Sequence, residues 1–500
     1  MPAKGSAIAP NILAPSSFGR RRRHSAFMEG LSLSLPDRDL PLQDRVWHIE
    51  RNGIEPVPAT LRSANLRGLF WVWFAGNLAI LTVVLGAVAM GFGLSLLQGL
   101  LLALLAPLAY AVIGLFGIPG ARTGVPTLTL SRATFGTYGN VIPSLVSWVN
   151  LVGWETVVLL TATYALEGAL TAAFGVPASN PVALGSLVIV TFSAFSVALL
   201  GHATIVRIQT IASYLFGLLT LLVFALAIPK VHLGPLLRAP GAPFLSGFLP
   251  ALSIVVAGGA LSWVNTAADY TRYLRTDVRG SGVVWATTLG SLVPTFALLV
   301  LGILLSAGRP GLASAQNPIA AIGGILPAWM SVPYLLTAAG GMVTGDIMDA
   351  YSSGLSLMAA GVPLRRTRTI LVDAALSIAA SVYILLVAQN FLAAYVSFLT
   401  LLAAVLAPWA AVFGVDTVRH LHRPYRLDEL YRGSRSAYGR FRLPALLAWL
   451  AGSFAALLTS SMPPLLHGPL ALGIFQDSNL GLFLGFLVSL FVYLPFAGRD

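Results

Sequence analysis

The chain has 500 residues, of which 57% are hydrophobic and 10% charged, with a mean hydropathy of +0.83. Soluble domains carry ~25% charged residues, so the composition excludes a soluble globular protein and points to an all-α polytopic membrane protein. The absence of cysteine excludes a disulfide framework, a cysteine-ligated metal and a thiol nucleophile.

Residues 1–66 read as a cytoplasmic, largely disordered tail containing the run Arg20–Arg23. No apolar stretch follows Arg23 before Leu69, so a cleavable signal is not expected. Apolar windows of ~18 residues or more, the length that crosses ~30 Å of hydrocarbon, fall near 69–91, 94–117, 138–165, 182–201, 204–228, 247–267, 283–306, 332–359, 369–389, 391–413, 443–460 and 479–497. They divide into five spans over 67–228, five over 229–413, a basic cytoplasmic loop over 414–442, and two peripheral spans within 443–500. Two consecutive units of five must run oppositely through the membrane, so topology allows an inverted repeat.

The net charge of +12 follows the same map. With a cytoplasmic amino terminus, Lys230, Arg238 and Arg309 are the outward basic residues, and 27 of the 30 (30 − 3) lie in tails or inward loops. That asymmetry places both termini in the cytoplasm. Arg20–Arg23, the Arg365/Arg366/Arg368 cluster and the arginines from Arg419 to Arg442 then face an anionic leaflet. Nucleic acid is not the expected partner, because no aromatic-interleaved soluble domain accompanies the charge.

The first span of each five-span unit carries one kind of interruption. Span one holds Gly76–Asn77, and span six holds Gly258–Gly259. Glycine weakens a helix by ~1 kcal/mol. Small residues also serve helix packing, but matching positions in the two halves favour broken helices around a midplane binding site, where freed backbone groups act as ligands. In span three, Asn150, Trp154 and Glu155 fall at membrane depth, and Trp154 is too central for an interfacial anchor. Beyond the second break come Trp263, Asn265 and Asp269, the last expected to hold the inner end of span six with Arg272 or Arg275. Asp346 and Asp349 lie one turn apart in span eight and share a face. Asp373 opens span nine and is expected to pair with Arg368 at the interface. Ionisable groups at membrane depth are functional candidates, which makes Glu155, Asp346 and Asp349 the candidates for ion coupling.

Six stretches together resemble the nucleobase-cation-symport-1 family, in its purine-cytosine permease branch: IERNGIEPVPATLR (49–62), WFAGN (73–77), RTGVPTLTLSRATFG (122–136), NLVGWE (150–155), WVNTAADYTRY (263–273) and GDIMDAYSSGLSL (345–357). The resemblance implies a leucine-transporter-like fold, with a 5+5 inverted repeat and two peripheral helices, twelve in all, working by alternating access. It implies a nucleobase site in which Trp154 and Trp263 stack on the two faces of the base and Asp346 reads its edge. Asn150, Asn265 and the breaks at Gly76, Asn77, Gly258 and Gly259 complete the expected substrate set.

Two departures from the family pattern bear on mechanism. Val158 stands where related permeases offer an amide to the base, and Gly340–Gly341 stands where sodium-dependent members carry a hydroxyl pair. A hard cation lacks two oxygen ligands there, so the proton is the favoured coupling ion and Na+ the alternative. No cofactor, metal site or catalytic residue is expected. Only Lys4 and Lys230 occur, with no GK dipeptide for a phosphate loop, and His420 and His422 sit in no HExxH pattern. The favoured function is import of cytosine or a purine across a bacterial inner membrane, with no obligate protein partner. The alternatives are a sodium-coupled carrier of allantoin, a hydantoin or a thiamine precursor, and a non-transporting ligand sensor.

Overall fold

The computed structural model describes residues 44–498 except 232, 308–311, 313–317, 388–390, 463–465, 477 and 479. The apolar windows fold as α1a (Leu66–Gly76) and α1b (Leu81–Met90), α2 (Leu96–Thr123), α3 (Val141–Phe174), α4 (Asn180–Leu200), α5 (His202–Ala227), α6 (Leu249–Gly258), α7 (Gly280–Ser306), α8 (Ser331–Ala359), α9 (Arg366–Leu386), α10 (Phe391–His420), α11 (Leu443–Thr459) and α12 (Gly481–Tyr493). Among the described residues, β structure is limited to an isolated bridge between Ala64 and Leu274 and an antiparallel pair of two-residue strands, Ser461–Met462 with Leu466–His467.

The burial pattern inverts that of a soluble protein. On α2, Leu97, Leu101, Leu104, Leu105 and Leu108 are exposed, while Gly99, Leu102, Ala103 and Ala106 are buried, so the large apolar side chains face outward at helical spacing. In lipid every backbone polar group must be satisfied within the protein. The interior accordingly holds many serines and threonines, several bonded back to their own helix, as Thr161 Oγ1 is to Val157 O at 2.7 Å.

Two groups of helices frame the interior. α7 packs on α1a, α1b and α2, with α6 against α1b; α8 packs on α3, α4 and α9. α5 touches both groups through α1a and α8, and α10 carries α11 and α12. The expectation of a largely disordered tail over 1–66 does not hold for residues 44–66, where Glu50, Ile54 and Val57 are buried; residues 1–43, with the Arg20–Arg23 run, lie outside the described residues, as does Arg309.

Candidate functional site

Both interruptions fall where the glycines predict. α1a ends at Gly76, and α1b resumes at Leu81 after a 61° bend. Asn77 closes the break. Its Nδ2 donates to Trp73 O at 2.8 Å and to Ser291 Oγ at 3.3 Å, and its Oδ1 accepts from the Tyr110 hydroxyl. The amide expected to touch substrate is therefore engaged in holding α1, α2 and α7 together. α6 ends at Gly258, and after Gly259 the chain continues as a tighter 3-10 run, Ala260–Thr266, in which Ser262 Oγ donates to Gly259 O at 2.7 Å.

Between the breaks lies a cavity lined from Gly76 and Asn77 on one side to Gly258 and Gly259 on the other. Trp154 and Trp263 both line it. Trp263 is braced edge-on by the buried Trp73, with centroids 5.8 Å apart, and Trp154 by Phe398, also at 5.8 Å. Aromatic walls with a few polar groups suit a flat heterocycle. The polar lining comes from Tyr110, Ser262, Thr295 and Asp349, together with Thr82 and Asn77. Tyr110 and Thr295 carried no signal in the sequence beyond being single polar residues within apolar runs.

The carboxylates divide differently from the sequence expectation. Asp349 lines the cavity and Asp346 does not. The lining residues of α8 are Gly341, Met342, Gly345 and Asp349, and Asp346, one turn beyond Met342, is not among them. It is fully enclosed, and neither carboxylate oxygen has a hydrogen-bond partner among the described residues. Glu155 is equally enclosed and accepts from Ser377 Oγ at 2.6 Å through Oε2. Asn150 and Asn265 also lie off the lining. Asn265 Nδ2 donates to Ser147 Oγ at 2.6 Å, and Ser147 meets Ser356 at 3.0 Å, which ties α3, the turn after α6, and α8 together.

Two expected ion pairs are replaced. Asp269 does not hold Arg272 or Arg275; its Oδ1 accepts from the Thr127 backbone N–H at 2.9 Å and the Thr127 hydroxyl at 3.0 Å. Asp373 does not meet Arg368; it accepts from Trp148 Nε1 at 2.6 Å and Ser353 Oγ at 2.8 Å.

Gly340 and Gly341 have a packing cause. A Cβ on Gly341 would overlap Leu78 O in the α1 break, and one on Gly340 would overlap the Phe216 ring. Near by, the Thr344 hydroxyl lies 2.9 Å from Ala75 O and 2.7 Å from Gly341 O, with one O–H shared between the two carbonyls.

At the end of the bundle carrying most of the arginines, Glu50 is buried among both helix groups. It pairs with Arg272 at 2.8 Å and Arg366 at 3.9 Å, and accepts from the Tyr273 hydroxyl at 2.5 Å and His202 N–H at 2.8 Å. Burial alone would raise its carboxyl pKa. Arg366 and Arg272 outweigh that effect and, with the hydrogen bonds, hold Glu50 below the usual carboxylate range. The sequence shows Glu50 within IERNG but gives no hint of these partners.

Residues 56–485 match the family model described as "Permease for cytosine/purines, uracil, thiamine, allantoin". The chain belongs to this permease family. The permease is 26% identical over 396 residues to a putative purine-cytosine permease, YxlA, of Bacillus subtilis, covering 77% of this chain and 82% of that one. It is 24% identical over 345 residues to the purine-cytosine permease FCY2 of Saccharomyces cerevisiae, covering 63% and 61%. Among solved structures it resembles Mhp1, a nucleobase-cation-symport-1 family transporter in a closed conformation with bromovinylhydantoin bound, with a TM-score of 0.70, 19% identity and coverage of 89% and 94%. A substrate-bound, outward-open Na+-coupled sialic acid symporter gives a TM-score of 0.60 at 12% identity, covering 88% and 91%. These likenesses establish the leucine-transporter-like fold, and the family is one of permeases rather than enzymes.

Proposed function

We propose that this permease imports a nucleobase, cytosine or a purine, by proton symport across a bacterial inner membrane, with its arginine-rich end in the cytoplasm. The observation that carries the reading is the cavity itself: two indoles, Trp154 and Trp263, and one carboxylate, Asp349, placed where two helices break. Stacking surfaces recognise the faces of a base and the polar groups its edge. Alternating access follows from the architecture, since the group containing α1, α2, α6 and α7 and the group containing α3, α4, α8 and α9 meet across that cavity. The proton is favoured over sodium because the glycine pair Gly340–Gly341 in α8 offers no hydroxyl.

Uptake of radiolabelled cytosine and adenine into vesicles tests the whole reading. An inward proton gradient should drive accumulation, and a protonophore should abolish it. Sodium-stimulated uptake that ignores pH overturns the coupling, and saturable binding without accumulation identifies a sensor.

A further inference from the structure

This inference rests on the nucleobase reading above and concerns which atoms couple proton to substrate. Asp349 is 3% exposed, lines the same cavity as the two tryptophans, and has no hydrogen-bond or ion-pair partner among the described residues. The other titratable groups near it on packed elements are Glu155 on α3, Asp346 on its own helix, Asp373 on α9, Tyr110 on α2, and Tyr270 after α6, whose hydroxyl donates to Met348 O at 2.7 Å. The cations on those elements point elsewhere. Arg67 on α1a, Arg122 on α2, Arg207 on α5 and Arg368 on α9 are exposed, and the buried Arg366 on α9 and Arg272 after α6 are taken by Glu50. An ionised Asp349 therefore has no countercharge within the membrane.

A carboxyl presents different patterns in its two states. Neutral, it has one O–H donor beside one acceptor; ionised, it has acceptors alone. Cytosine and adenine display a ring-nitrogen acceptor beside an exocyclic amine, the complement of the neutral acid. Guanine displays a ring N–H beside an amine, the complement of the carboxylate.

The geometry points to Asp349 as both the carrier of the transported proton and the reader of the base edge, with 4-aminopyrimidines and 6-aminopurines as the substrate class. In the loaded state the Asp349 O–H donates to the ring nitrogen, and its carbonyl oxygen accepts from the amine. On release the proton passes to water, the carboxylate sets two acceptors against the ring-nitrogen lone pair, and the base leaves. Proton and base then raise each other's affinity by the same factor, as linkage requires. The same residue thereby selects the substrate and couples its movement to the proton gradient.

Equilibrium binding of radiolabelled cytosine, adenine and guanine to the purified full chain, from pH 5 to pH 9, tests this assignment. Wild-type affinity for cytosine should fall about tenfold per pH unit above the carboxyl's pKa, with one proton taken up per cytosine bound. Relative preference should shift toward guanine as pH rises. Asp349→Asn fixes the donor and acceptor of the neutral acid without an ionisable proton, so it should bind cytosine with no pH slope and no proton uptake. Asp346→Asn should keep the slope. A wild-type cytosine affinity that stays flat with pH, or a slope that survives in Asp349→Asn, overturns the assignment while leaving a nucleobase site in place. Failure of every base to bind the wild type at any pH overturns the nucleobase reading itself.

Discussion

At the break in α1, both ends of the Asn77 amide are occupied by Trp73, Ser291 and Tyr110, whereas the break in α6 is closed by Ser262 bonding back to Gly259 within its own turn. The first ties three helices to one side chain; the second engages no neighbouring helix through its capping atoms. Two breaks of similar sequence thus differ mechanically. The α1 break is a fixed corner of the cavity, whereas the α6 turn, which carries Trp263 and whose side-chain tie to a neighbouring helix lies further along its run at Asn265–Ser147, is the more loosely held of the two.

The largest effect should come from disturbing the fixed corner by volume. Gly341→Val forces a side chain onto Leu78 O, and overpacking against backbone that cannot shift should cost about 3 kcal/mol or more. Loss of monodisperse protein and a lowered Tm in detergent would register it. Survival of a normally folded Gly341→Val protein would show that the α1 break yields, and the contrast between the breaks would be lost.

Next in size is removal of the stacking walls. Trp154→Ala should weaken base binding by ~1–3 kcal/mol, with Phe retaining part of it. Trp263→Ala should lose a similar amount and, because its turn is the more loosely held, also slow turnover. Uptake kinetics separate the two: a raised KM alone for Trp154 and a raised KM with lowered kcat for Trp263. Equal effects on turnover would place both walls on rigid elements.

A loss of the same order, about 1–3 kcal/mol but in stability rather than in base binding, is expected for Tyr110→Phe, which leaves the buried Asn77 Oδ1 without its donor. Thermal melting measures it, and a double-mutant cycle with Asn77→Ala should show coupling. Smallest is Gly259→Ala. Its Cβ would lie 3.0 Å from Val255 O and 3.7 Å from the Tyr110 hydroxyl, a tight fit that a small shift relieves. Folding should be nearly unchanged and uptake slowed, as helix propensity rises across the turn. Unaltered uptake would remove the α6 turn from the moving parts.

The breaks and the tryptophans were legible because glycine pairs and indoles at mid-span conflict with an ordinary lipid-facing helix. The phase of α8 was not. From Tyr334 to Ala359 nearly every residue is buried, so no apolar stripe marks a face, and the sequence could not tell which of Asp346 and Asp349 meets the cavity. The partners of Asp269 and Asp373 were hidden for another reason. Arginines stand close to both in sequence, but the hydrogen bonds come from Thr127 and Trp148, 142 and 225 residues distant. Local charge pattern cannot see a contact made by the fold.

Glu50 has a consequence for biogenesis. Its carboxylate leaves the ribosome before α1a, while Arg272 follows 222 residues later and the Arg366 side chain, which also bonds Glu50 O, 316 residues later. Segments of a chain emerge at ~5–20 residues per second, so the earliest-made part of this cluster waits roughly a minute or less for its last partner. Docking of residues 44–57 is therefore a late event that requires α9 to be inserted, and a chain stalled before α9 leaves Glu50 and Arg272 without the arginine that completes their burial. Accessibility of that segment to an added protease reports, in a nascent chain, whether the second repeat has been built.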